Sequence, residues 1–255
     1  MTLMHIDFYS NVLGRSMQAD VVLPETAAPA EGYPTLFLLH GMTDDHSMWQ
    51  RHTSIERYAD ERRIAVVMPG THLCWYANTH AGEGYFDYIS DELVRIVRRM
   101  LPCLSRRRED TFVAGLSMGG YGAMRCALNR PDVFSRVASL SGAVDIFWLT
   151  QDPMPLGRSF CWEDVFGPRE SVPGSDLDLF AVLQKRAAQG GELPPIYLSC
   201  GTKDALMADN LRLRAALEKA GYLVTWQEED YGHEWRFWNR QVEAFIRTLP
   251  LGQGE

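Results

Sequence analysis

The sequence predicts an α/β fold: a mostly parallel central sheet with helices on both faces. Three observations predict it. Strand-like and helix-like segments alternate along the chain. Several strand segments are continuous apolar runs, such as TLFLLH at 35–40 and IAVVM at 64–68, as strands buried on both faces require. A glycine-bounded turn at 115–119 joins one apolar strand directly to a helix of small residues.

The elements follow in order. Residues 3–9 and 16–23 read as two paired strands joined through Gly14. The Ala-Pro-Gly segment 27–32 reads as a surface loop before the strand at 35–40. A helical stretch is expected over 48–61, then the strand 64–68 ending at Pro69-Gly70. In 87–101, Ile89, Leu93, Ile96, Val97 and Met100 recur at helical spacing. The strand 111–116 leads into a helix over 118–129. Further strands are expected at 137–140, 196–199 and 223–227, with helices over 208–220 and 234–248. Residues 145–175 show no clear period and read as a small cap-like insertion in a single domain spanning 1–255.

Composition narrows the function classes. With 46% hydrophobic and 23% charged residues in 255, the chain is ordinary for a globular protein and long enough for a sizeable core. A formal net charge of −8 argues against nucleic acid or an anionic membrane as partner, since both need a positive field. The one basic run, Arg106-Arg107-Arg108 after Arg98 and Arg99, reads as a solvated face that complements a helix end, with a phosphate-binding role as the less favoured alternative. Five cysteines occur without CxxC or zinc spacing, so packed thiols and no metal are expected. The amino-terminal stretch has an early acid and no apolar run, and no segment nears 18 apolar residues. A cytoplasmic location is the expectation.

Gly115-Leu116-Ser117-Met118-Gly119 is a G-x-S-x-G motif in the context it needs, after a strand and opening a helix. Such a turn projects the serine hydroxyl outward, and its flanking glycines remove side chains that would collide. The bland alternative is a glycine-rich turn with a helix-capping serine. A serine hydroxyl needs a base within hydrogen-bond reach. His233 lies after the last strand and before the last helix, where α/β-hydrolases, in the chain order Ser…Asp…His, place that base. Asp204, after the strand IYLSC, is the preferred acid to orient the imidazole. Asp209, Asp145 and Asp230 are its competitors. An oxyanion hole needs two backbone N–H groups. Met118 is expected to supply one, and the turn His40-Gly41-Met42 the other, from Met42 in preference to Gly41. His40 is assigned to the wall of that loop. His72 and His80 read as surface or structural, with the rim of the pocket as their alternative. His5, His46 and His52 read as surface or structural.

Beyond single motifs, LLHGMTDDHSMW, VVMPGTHLCWY, TFVAGLSMGGYGAM, GTKDALMADN and GHEWRFWNRQVEAFIRTLP together resemble the tributyrin-esterase branch of the esterase D-like family. The resemblance spans about 36–250 in unbroken order. It implies an α/β-hydrolase core, a triad on Ser117, Asp204 and His233, and an oxyanion amide at Met42. It also implies no cofactor, short-acyl ester substrates and a frequent homo-oligomer. Trp75 and Tyr76 match a pair in that branch. They either line the substrate pocket with His40 and Gly41 or pack as aromatics beneath a loop. Phe147, Trp148, Phe160, Trp162 and Phe166 would make an aromatic cap that excludes water. The expected function is a serine carboxylesterase working through an acyl-enzyme. The rivals are an S-formylglutathione hydrolase-like thioesterase, an acetyl or feruloyl esterase, and a catalytically silent binding protein on the same fold.

Overall fold

A computed structural model describes residues 1–151 and 161–251. One eight-stranded sheet runs through it, in the order β1-β2-β4-β3-β5-β6-β7-β8. The strands are β1 (Thr2–Ser10), β2 (Arg15–Leu23), β3 (Thr35–Leu39), β4 (Ala65–Pro69), β5 (Thr111–Leu116), β6 (Arg136–Leu140), β7 (Ile196–Gly201) and β8 (Val224–Glu229). β1 and β2 pair antiparallel, as does β2 with β4, and every other pair is parallel.

Every residue of β3, β4, β5 and β7 is buried. Alternate side chains therefore go to opposite faces, and each face has its own core. Phe37, Leu39, Val67 and Val113 pack on one side. Leu36, Leu38, Val66, Phe112 and Ala114 pack on the other. The helices are α1 (Met48–His52), α2 (Ile55–Arg62), α3 (Tyr85–Asp87), α4 (Leu93–Met100), α5 (Met118–Asn129), α6 (Ile146–Leu149), α7 (Trp162–Phe166), α8 (Leu179–Gln189), α9 (Met207–Lys219) and α10 (Trp235–Thr248). α1, α2 and α10 cover the second face, and α4, α5 and α8 the first. A π-helical turn, Tyr88–Glu92, links α3 to α4.

The expected helix over 48–61 is two helices. Thr53 is extended (φ −135°, ψ 171°), and the Ser54 amide donates to Asn239 Oδ1 at 3.1 Å instead of to the helix. The Thr53 hydroxyl also donates back to the Trp49 carbonyl, the local side-chain contact by which threonine competes with a helix. The helix α8 was not expected, although Asp178 caps it through the Phe180 and Ala181 amides and Gly190 follows it. Of the expected cap, α6 and α7 are described, while residues 152–160, Phe160 among them, lie outside the described residues. Cys74, Cys126 and Cys200 are buried free thiols, each pushed up to about 12 by burial.

Candidate active site

β3, β5, β7 and β8 end on one edge of the sheet, and the candidate residues follow those ends directly. Ser117 comes after β5 with φ 52° and ψ −115°, a conformation L-residues rarely hold. Bonds on both sides fix it: its amide donates to Leu140 O at 2.9 Å, and its carbonyl accepts from Ala143 N at 3.1 Å. From residue 111 to residue 128, Ser117 alone reaches the surface.

The flanking glycines are required by backbone, not side chains. A Cβ on Gly119 would sit 2.6 Å from the His40 carbonyl oxygen and closer still to that of Leu39. A Cβ on Gly115 would collide with the Gly119 carbonyl. The elbow is thus pressed against the end of β3, which brings the His40-Gly41-Met42 turn beside Ser117.

Asp204 and His233 are brought together by a similar approach. A Cβ on Gly201, at the end of β7, would overlap the Tyr231 carbonyl, and the Lys203 amide donates to that carbonyl at 2.9 Å. The loop after β8 therefore lies flat on the loop after β7. His233 Nδ1 stands 2.8 Å from Asp204 Oδ2, and His233 Nε2 stands 3.0 Å from Ser117 Oγ. With the proton on Nδ1, the imidazole donates to Asp204 and accepts from the serine hydroxyl. The other Asp204 oxygen accepts from Leu206 N at 2.9 Å. Burial opposes charge on Asp204, but the hydrogen bond and charge of His233, with the Leu206 amide, hold its carboxyl below the usual range. The edge of the Trp238 indole closes one side of the imidazole, 4.8 Å between centroids.

The rival acids are engaged elsewhere. Asp145 caps α6 through the Trp148 amide and pairs with Arg212 at 2.8 Å. Asp209 sits in the first turn of α9, also on Arg212. Asp230 is exposed and pairs with Lys203.

The amides of Met118 and Met42 make no hydrogen bond among the described residues. The Gly41 amide is already taken, donating to Asp44 Oδ2 at 3.2 Å. That contact leaves the Met42 amide, of the two in the turn, without a partner among the described residues. It also brings forward Asp44, which sequence reasoning passed over. The signal was an acid three residues after the turn glycine, the spacing of a side chain that bonds back to its own loop.

His40, Trp75 and Tyr76, the candidates for the pocket wall, are buried, at 1%, 1% and 0% exposure, as the packing alternative for the two aromatics has it. His40 holds the turn from within: its ring bonds the Gly41 carbonyl at 2.7 Å and accepts from the Thr71 amide at 3.0 Å. Burial pushes its pKa down to about 4, so it stays neutral at ordinary pH. Tyr76 donates to the His40 carbonyl at 2.9 Å. Trp75 packs against Tyr121, Trp162 and Phe166. These aromatics pack beneath the loop and against α7. His72 and His80 are exposed, and the His80 amide bonds Val165 O in α7.

The Esterase family model matches residues 10–249. The chain belongs to that family, in its esterase D-like group of α/β-hydrolases. It is 31% identical to an acetyl esterase of Caldicellulosiruptor saccharolyticus, over 95% of this chain and 96% of the relative. Among solved structures it resembles the fluorophosphonate-binding serine hydrolase F of Staphylococcus aureus, with TM-score 0.90 and 31% identity over 97% and 98% of the two chains. An S-formylglutathione hydrolase of the same bacterium gives TM-score 0.88 and 31% identity over 98% and 99%. The chain is a serine esterase. Among the described residues no helix is long and apolar enough to cross a membrane.

Proposed function

We propose that this esterase is a carboxylesterase of short-acyl esters, with Ser117 as nucleophile, His233 as base and Asp204 as the acid that orients it. The observation that carries the reading is the unbroken line Asp204–His233–Ser117, at 2.8 and 3.0 Å. His233 takes the hydroxyl proton as Ser117 Oγ bonds to the acyl carbon. The Met118 and Met42 amides hold the oxygen that becomes negative. When the tetrahedral adduct collapses, the alcohol leaves with the proton from His233. Water then gives a proton to the same imidazole and attacks the acyl-enzyme. The acid departs, and Ser117 recovers its proton.

The acetyl esterase relative supports the short acyl group. Ser117→Ala tests the reading: p-nitrophenyl acetate turnover is expected to fall to background, and fluorophosphonate labelling to vanish. Wild type is expected to show a burst of p-nitrophenol equal to the enzyme present. Retained turnover or labelling in Ser117→Ala would end the assignment.

A second reading keeps these residues and changes the substrate to a thioester, because a solved relative at 31% identity is an S-formylglutathione hydrolase. Comparing kcat/KM for S-formylglutathione and p-nitrophenyl acetate separates the two.

A further inference from the structure

Far from Ser117, a cavity of about 200 Å³ opens among Arg95, Arg98, Arg106, Arg108 and Arg130, with Asp91 and Asp132 on its wall. It lies where α4 and α5 end and before β5 begins. Ser117 stands at the opposite end of α5, roughly 18 Å away along twelve residues.

Part of this basic lining has structural work. Arg130 donates to the Ser90 carbonyl at 3.2 Å and pairs with Asp132. Arg108 donates to the Pro131 carbonyl and pairs with Glu192 at 2.9 Å. Arg95 pairs with Asp91 at 2.7 Å. Cations near helix carboxyl ends also offset the helix dipoles.

Arg98 and Arg106 are left over. Among the described residues neither has an acidic partner, although the protein carries a net charge of −8. The single Arg98 side-chain bond goes to the Thr111 hydroxyl at 2.6 Å. Arg98 Nε and Arg108 Nη2 are buried with no hydrogen-bond partner among the described residues. Burial, and then the adjacent Arg106 charge, weaken the hold of Arg98 on its proton. Five guanidinium-bearing residues thus line one cavity with three acids among their partners, and the charges of Arg98 and Arg106 remain unpaired among the described residues. Guanidinium forks match tetrahedral oxyanions, and a space of this size is below that of a drug-sized pocket.

We propose that this cavity binds a phosphate-type dianion, as the free ion or as the phosphate group of a small monoester. The bound group takes donors from Arg98, Arg106 and Arg108 and neutralises the unpaired charge.

The test is calorimetry on the whole protein with sodium phosphate and with glycerol 2-phosphate, at constant ionic strength set by sodium chloride. Wild type is expected to bind saturably at one site. Arg106→Glu, an exposed charge reversal, is expected to weaken binding roughly tenfold or more while p-nitrophenyl acetate turnover stays unchanged, which also shows that the variant is folded. Arg98→Gln should act the same way. Tighter binding of the monoester points to a phosphorylated metabolite, and equal or tighter binding of phosphate to the free ion; either upholds the site. No saturable binding, or equal affinity in Arg106→Glu, overturns it.

Discussion

Ser117 holds a positive φ that costs on the order of 1–3 kcal/mol, and its neighbours must enforce it. The same logic applies to the two side chains behind it. Asp204→Asn keeps size and burial but cannot accept the Nδ1–H with a full charge. The expected result is a fall in kcat on the order of 10⁴-fold in a protein that still unfolds cooperatively, read by steady-state kinetics beside a thermal melt. Asp44 acts one step further out, through the Gly41 amide. Asp44→Ala frees that amide and loosens the turn that presents Met42. Loss of a complete oxyanion donor costs about 10²–10³, so a loosened one should cost roughly tenfold in kcat with KM nearly unchanged. A KM effect alone would place Asp44 in substrate binding instead. The placement of Ser117, Asp204 and His233 was legible in the sequence because each comes just after a strand, and strand ends are where such sheets place chemistry. Asp44 was not, because its value lies in one backbone contact across a turn. The burial of Trp75 and Tyr76 was not legible either, since a pocket wall and a packed loop draw on the same aromatic residues.

At the scale of elements, the elbow is a close approach of α5 to the end of β3, and only a missing side chain permits it. Gly119→Ala places a Cβ against the Leu39 and His40 carbonyls, backbone atoms that cannot swing aside. Overpacking of this kind costs about 3 kcal/mol, or roughly 6–10 °C in melting temperature for a chain of this length. Gly232→Ala is the control. Its Cβ meets nothing within 4 Å and its φ is not positive, so stability should change by less than about 1 kcal/mol. Equal melting temperatures for the two variants would contradict the steric account. The strands β3, β4, β5 and β7 were legible to within a residue or two because burial on both faces leaves continuous apolar runs. The break between α1 and α2 was hidden, because the amide of Ser54 is satisfied by Asn239, a residue 185 positions away. The helix α8 carried readable caps in Asp178 and Gly190, but it lies just beyond the aperiodic cap, where the periodicity signal is weakest.

For the whole molecule, the pH dependence of stability follows from what is buried neutral. His40 is fully buried, and burial takes its pKa from 6.5 to about 4, while the Gly41 carbonyl and Asp45 pull the other way by less. Between those values the unfolded chain binds a proton that the folded chain refuses. Stability therefore rises with pH across that window: it is complete above about 6.5 and is lost as pH falls towards 4. At 1.36 kcal/mol per pH unit the full loss from this one ring is about 3 kcal/mol. Asp204 adds to the trend in a lower window, because its lowered carboxyl stabilises the fold above the unfolded value of 3.8 and stops doing so as pH falls further. Denaturant midpoints at pH 8 and pH 5 measure the first effect. Wild type is expected to lose about 2 kcal/mol between them. His40→Gln cannot titrate there, so it should be weaker at pH 8, where it gives up the Thr71 contact, yet lose much less on going to pH 5. If the variant shows the same slope as wild type, the acid sensitivity comes from another group, and the neutral ring beneath the Gly41-Met42 turn is not what ties this fold to pH.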